Sequence, residues 1–326
     1  MKRVLKYAVA AVVTVLAIWF SFRDIDGPAL KRAFFQADYL WIALAVLNSL
    51  FSVYALGWRW RILLAAKDRP SLGALFRLNI IAQCSNIVVP ARMGELVRAY
   101  MTSAESQAPG GFALGTIVIE KLFDFAAFSI FWLLVPILFA VRTRLEMNGI
   151  ALFVCALAFG LLWTLARHPR LILRAVRLLS QILPERHRER ISRSTGQALE
   201  AFEALRRPSI ILRLTAWTIG LIGIQALTNF LVFRAFRMDV SFLAALFVLL
   251  AVQAGSLPPS LPGRIGIFEY TVILALSAFQ VSKNDALSYA LILHVAAFLP
   301  KILVGALFLG TARLTKKDAR GRAKLK

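Results

Sequence analysis

Three stretches without a single charged residue, 149–166, 214–233 and 240–263, constrain this chain more than any motif in it. A bilayer core of roughly 30 Å is crossed by about 20 apolar residues of helix, and each stretch is close to that length. Backbone inside hydrocarbon must satisfy its own hydrogen bonds. Continuous apolar runs therefore point to helices, whereas a porin-type barrel reads as short alternating segments. The composition agrees: 59% of the 326 residues are hydrophobic and 17% are charged, against about 45–50% and 25% in soluble domains. A secreted, soluble or disordered chain is excluded. The expected fold class is an all-α polytopic membrane protein.

A formal net charge of +22 invites a nucleic-acid reading, so the placement of the charge decides. Of the 39 Lys and Arg residues, three fall in 2–6, four in 59–69, eleven in 167–213 and seven in 313–326. That clustering is what the positive-inside rule predicts. The four basic stretches are assigned to the cytoplasmic side, both termini included, and the localisation to the cytoplasmic (inner) membrane as a multi-pass protein. Attraction to anionic lipid accounts for the remaining basicity; no nucleic-acid partner is expected.

Residues 4–20 read as a first span, retained as an anchor because no small-residue cleavage site follows before Arg23. The loop 21–38 reads as external. Residues 40–58 return to the cytoplasm and end in Arg59 and Arg61, read as topological flanks. Residues 74–100 break at Pro90, 113–141 form a long span with charges in its first half, and 149–166 return inside. In 167–213, Arg170, Arg174, Arg177 and Gln181 recur at helical spacing among aliphatic residues until Pro184, the pattern of an amphipathic surface helix. A more polar helix follows around Ile191 to Arg206. The second half resumes with 214–233, 240–263, 265–281 and 286–312. The expected domains are a first membrane half, 1–166; a cytoplasmic amphipathic connector, 167–213; a second membrane half, 214–312; and a basic cytoplasmic tail, 313–326.

The two halves share a short repeat. Pro90-Ala91-Arg92-Met93-Gly94 recurs as Pro262-Gly263-Arg264-Ile265-Gly266. Each copy follows an apolar segment and precedes a glutamate, Glu95 or Glu269. If each broken segment is a hairpin that enters and leaves by one face, six full spans remain. The first hairpin then enters from the cytoplasm and the second from outside. Such inverted-topology halves are typical of transporters, with the site near the midplane between the repeats. Pro90, Gly94, Pro262, Gly263 and Gly266 are the helix-breaking residues, because proline removes a donor and glycine relaxes the dihedrals.

Arg92, Glu95, Arg98, Glu120, Lys121, Asp124, Arg264 and Glu269 lie in or beside apolar segments. A central charge costs about 2.5–3.5 kcal/mol on insertion scales, so such groups pair or face water. Glu120 and Asp124, four apart, share a helix face and need a cation; Arg92, Arg98 and Arg264 are the candidates. Arginine suits phosphate, because its fork grips two oxygens. Two readings stand: a cavity for an amphiphilic anion, or an internal ion-pair network that fixes helix packing. His294 reads as a satisfied core group and Lys301, after Pro300, as a snorkelling side chain. Cys84 and Cys155 read as core residues. No metal site, cofactor site or catalytic motif stands out.

The run Asn86-Ile87-Val88-Val89-Pro90-Ala91-Arg92-Met93-Gly94-Glu95-Leu96-Val97-Arg98-Ala99-Tyr100 resembles the lysylphosphatidylglycerol synthase transmembrane family, the flippase-like (UPF0104-type) integral membrane proteins. So do Glu120-Lys121-Leu122-Phe123-Asp124 and Leu261-Pro262-Gly263-Arg264-Ile265-Gly266-Ile267-Phe268-Glu269. Two departures stand out: Lys121 replaces the usual Arg, and His294 stands where an Arg is expected. The resemblance implies lipid translocation. Family members move aminoacylated phosphatidylglycerol between leaflets, and relatives are associated with polyprenyl-linked sugars or hopanoid pathways. Aminoacyl-transferring members carry a further soluble domain, for which the chain to Lys326 leaves no length, so aminoacyl transfer is not expected. The expectation is a lipid or lipid-linked-anion translocase. Arg92, Arg98 and Arg264 hold the headgroup phosphate, with Glu95, Glu120, Lys121, Asp124 and Glu269 around them. Membrane lipids, an anionic phospholipid or a lipid-linked intermediate, are the expected partners. The alternative is a membrane subunit or scaffold of a polyprenyl-phosphate, glycolipid or hopanoid pathway enzyme, with a glycosyltransferase or lipid-pathway enzyme as partner.

Overall fold

The computed structural model describes residues 2–23, 25–89, 93–138, 160, 185–255 and 262–323. The span expected at 149–166, the amphipathic stretch 170–183, Pro90, Arg92 and Cys155 lie outside the described residues. Within them every regular element is helical: α1 (Lys2–Phe22), α2 (Gly27–Gln36), α3 (Tyr39–Leu64), α4 (Leu72–Val88), α5 (Gly94–Glu105), α6 (Gly110–Leu138), α7 (Glu185–Phe202), α8 (Pro208–Ala235), α9 (Phe242–Gly255), α10 (Ile267–Ser277) and α11 (Lys283–Ala323). Short 3₁₀ turns occupy Glu203–Arg206 and Pro262–Arg264.

Helices α3, α8 and the Lys283–Gly310 part of α11 are long and apolar enough to cross a membrane. The 29-residue α6 has the length but carries Glu120, Lys121 and Asp124 in its middle. Among the described residues, α4 ends at Val88 and α5 begins at Gly94, and α9 ends at Gly255 and α10 begins at Ile267. Helix α4, of 17 residues, is followed by α5, and α9, of 14 residues, is followed by α10. At about 1.5 Å per residue, neither α4 nor α9 reaches across a 30 Å core.

Two compact units form. The first comprises Met1–Val53, Asn79–Gly94 and Ile222–Lys326; the second comprises Tyr54–Leu78 and Glu95–Leu221. In the first, Phe233 stacks on Tyr289 with ring centroids 4.3 Å apart, surrounded by Val232, Val248, Val272 and Leu276. Polar groups there bond between helices. Asn48 donates to the Ile224 carbonyl at 2.7 Å, and Asn229 donates to the Ala245 carbonyl at 3.0 Å. Pro300 cannot donate to the carbonyl four residues back, and the Ser49 hydroxyl lies 2.9 Å from that carbonyl, Ala296. This is how a proline is tolerated inside an apolar helix.

Glycine does different work at the two breaks. A Cβ on Gly94 would run into the Ala82 carbonyl, and the Asn86 side chain accepts the Gly94 amide at 2.8 Å. Gly266 has φ +82°, a Cβ there would meet Ile18 of α1 at 2.7 Å, and Glu269 accepts its amide at 2.6 Å. In each case the repeat's last glycine admits a close approach, and a side-chain oxygen satisfies its amide.

In the second unit the core is Trp60, Leu63, Leu75, Phe112, Ile119, Phe202 and Leu214. The polar helix α7 packs on α6 where Gly111 and Gly115, four apart, bring α6 against the Ser194 and Ala198 carbonyls. This small-residue seam went unread in the sequence, although its spacing was visible. Overpacking a tight seam costs typically 1–3 kcal/mol. Gly115→Val should therefore lower the melting temperature of the purified protein and expose α7 to limited proteolysis, whereas Gly196→Ala, at an open position, should leave both unchanged.

Candidate functional site

The second unit gathers charges from three helices. Arg59 of α3, Arg98 of α5 and Glu120 of α6 are each only 2% exposed. Arg59 grips Asp124 with both terminal nitrogens, at 2.5 and 3.3 Å, and reaches Glu120 at 3.5 Å. The Thr218 hydroxyl of α8 takes a further bond from Arg59 at 3.1 Å. Arg98 meets Glu120 at 2.8 Å and sits over the Trp60 ring, its Cζ 3.5 Å from the centroid. Trp60 in turn donates to Thr116 at 2.9 Å. At the edge, Lys121 pairs with Glu95 at 3.0 Å, and Glu95 stands 3.7 Å from Arg98. Three cations face three carboxylates, so the cluster is neutral. Coulomb attraction is strong at low dielectric, and this closed arrangement is how the helix interior carries the charges.

Two expectations are corrected here. Arg59 is no topological flank: α3 continues to Leu64, which buries Arg59 against α6. Among the described residues, Glu120 meets Arg98, one of the three candidates, and Asp124 is gripped by Arg59, which was not among them. Arg59 was missed because an arginine at the end of an apolar run looks like any positive-inside flank. Its partner sits 65 residues away, beyond the reach of a spacing rule.

The first unit holds the second break. Gly263 (φ 75°), Arg264 (φ 57°) and Gly266 (φ 82°) all adopt left-handed backbone. For arginine that conformation is uncommon and carries strain, which persists where the surroundings over-determine it. Glu269, 3% exposed, bonds His294 Nδ1 of α11 at 2.5 Å as well as the Gly266 amide. The imidazole is flanked by Phe268 at 4.6 Å and Phe298 at 4.5 Å. Glu269, expected among the groups around the headgroup, is bonded to His294, a partner the sequence reading did not name. The reading of His294 as a satisfied core group agrees with this contact. Cys84 is buried, with its sulfur 3.7 Å from the Ile302 carbonyl and its side chain against Gly305. Among the described residues no group of three or more His, Cys, Asp or Glu side chains could hold a metal ion.

With both clusters described, comparison with known proteins assigns the chain. The family profile described as lysylphosphatidylglycerol synthase TM region matches residues 4–305. The chain belongs to that family. A UPF0104 membrane protein of Methanocaldococcus jannaschii is 24% identical over 234 residues, covering 68% of this chain and 91% of the relative. A UPF0104 membrane protein of Methanothermobacter thermautotrophicus is 22% identical over 323 residues, 94% of this chain and 93% of the relative. The glycosyltransferase AglD of Haloferax volcanii is 32% identical over 112 residues, 34% of this chain but only 18% of that protein. The chain is thus an integral multi-pass membrane protein of the lysylphosphatidylglycerol synthase TM region family.

Removing one member of a buried ion pair costs about 3–5 kcal/mol, because the other is left uncompensated. Arg59→Met should therefore cut thermal stability in detergent sharply. Arg59→Met combined with Asp124→Leu should recover a large part of the loss, as measured by a double-mutant thermal-unfolding cycle.

Proposed function

We propose that the protein moves a lipid or lipid-linked anion across the cytoplasmic membrane, both termini lying on the cytoplasmic side, as a carrier rather than a catalyst. The observation that carries this reading is the second break: an arginine in strained backbone, at the start of a short helix, within the apolar part of a protein from a family named for a lipid synthase. Irregular backbone at membrane depth is tolerated where it lines a polar cavity, and polar groups placed there mark pathways by default. Arg264 is assigned to the headgroup phosphate, together with its repeat counterpart Arg92. Arg98, expected in the same role, is assigned to the neutral lock with Glu120. Glu95 and Lys121 form that lock's exposed edge.

A second reading has its own support. The stretch of 112 residues similar to a glycosyltransferase favours a membrane component that presents a lipid-linked substrate to a glycolipid-pathway enzyme.

Reconstitution separates the two. In proteoliposomes of the purified chain alone, a headgroup-labelled anionic lipid should cross between leaflets. Arg264→Ala should slow it by about tenfold or more, the equivalent of about 1.4 kcal/mol or more of lost binding, with the fold intact. A well-folded protein that moves no anionic lipid would leave the pathway-component reading in its place.

A further inference from the structure

Three spanning helices end at one level of the first unit. Helix α3 starts at Tyr39, α8 ends at Ala235 and α11 starts at Lys283. Hydrogen bonds tie these ends together. The Asp38 amide donates to the Ala235 carbonyl at 2.9 Å, Lys283 Nζ donates to the Arg23 carbonyl at 2.5 Å, and the Asp26 amide donates to the Asn284 side chain at 3.2 Å. Helix α2, in the stretch read as an external loop, is held at this level between α1 and α3. Helices that cross a hydrocarbon core end at its headgroup zone, so α2 lies at the membrane surface.

This helix has two faces. Ala29, Leu30, Ala33 and Phe34 are half-buried. On the other side Gly27, Pro28, Lys31, Arg32, Phe35 and Gln36, all exposed, line an open hollow. Phe35 is 75% exposed, with Lys31 Nζ 6.0 Å from its ring centroid. Lys31 and Arg32 precede Phe35 by four and three residues, so both cations neighbour the ring on one helix surface. Among the described residues neither cation pairs with a carboxylate. The nearest described acidic residues along the chain are occupied as caps: Asp26 accepts the Ala29 amide and Asp38 the Leu40 amide. Exposed Tyr39 and Leu40 continue the apolar surface into α3. Two cations around an exposed ring, at headgroup level, match a lipid whose phosphate meets the charges and whose chains meet the ring.

We propose that α2 is a surface helix that binds an anionic membrane lipid, Lys31 and Arg32 taking the phosphate and Phe35 lying against the chains. The occupant is a lipid rather than free phosphate or an acidic peptide, because apolar surface adjoins the cations where three spanning helices end. The proposal goes beyond the translocase reading and needs only the membrane setting.

Native mass spectrometry of the full chain in detergent tests this, with phosphatidylglycerol, diacylglycerol, inorganic phosphate and a glutamate-rich peptide as probes. Basic residues near anionic lipid add attraction one by one. Lys31→Gln combined with Arg32→Gln should therefore weaken one bound phosphatidylglycerol by about tenfold or more, equivalent to about 1.4 kcal/mol or more. The exchange Lys31→Arg with Arg32→Lys should keep it. Added salt should weaken that lipid in wild type, since exposed charges are screened, and should have little further effect in the glutamine variant. Phe35→Ser should weaken phosphatidylglycerol and diacylglycerol alike. Both cations are exposed, so the glutamine variant should melt as wild type does before lipid is added. Unchanged phosphatidylglycerol binding in the folded glutamine variant would overturn the site. Displacement of the lipid by millimolar inorganic phosphate, or by the acidic peptide in preference to lipid, would overturn the lipid assignment. Loss of this lipid in Lys31→Gln with Arg32→Gln but not in Arg264→Ala would support a site separate from the second break, whatever the chain transports.

Discussion

The requirement that a charge buried in apolar surroundings find a partner governs this molecule. An unpaired ion at the bilayer centre costs several kcal/mol, which is a large fraction of a domain's net stability. The structure meets that requirement in two ways. Around Arg59 and Arg98 the charges cancel within the protein. Around Glu269 the carboxylate is held by the His294 imidazole and the Gly266 amide.

The neutral cluster is a packing device. It ties α3, α5 and α6 together through Arg59, Arg98, Glu120 and Asp124, and α8 joins through Thr218. Both arginines are fixed by more than charge: Arg59 by a two-pronged hold on Asp124, Arg98 by the Trp60 face. The first unit is organised otherwise. Its backbone is left-handed at Gly263, Arg264 and Gly266, and Glu269 and His294 pin the start of α10. The two copies of the sequence repeat have thus diverged in chemistry. Gly94 is held by an asparagine; Gly266 is held by a glutamate that also bonds His294.

The helical class, the membrane setting and the second break were legible in the residues, because apolar run length and Pro-Gly placement are local signals. The need of Glu120 and Asp124 for a cation was legible too, since four-residue spacing puts both on one helix face. The identity of that cation was not. Arg59 lies at the end of an apolar run, where topology alone explains an arginine, and only the continuation of α3 to Leu64 buries it. The Glu269–His294 contact joins residues on different helices, which no periodicity reveals. The Gly111–Gly115 seam could have been found from its spacing.

The central claim is that the neutral cluster locks helices while the arginine of the second break takes the phosphate. The most direct measurement is solid-state NMR of the protein in phosphatidylglycerol bilayers, reading dephasing between lipid ³¹P and ¹⁵N in the arginine side chains. The account predicts close ³¹P contact at Arg264 and none at Arg59 or Arg98. Contact at Arg59 or Arg98, with Arg264 silent, would contradict it.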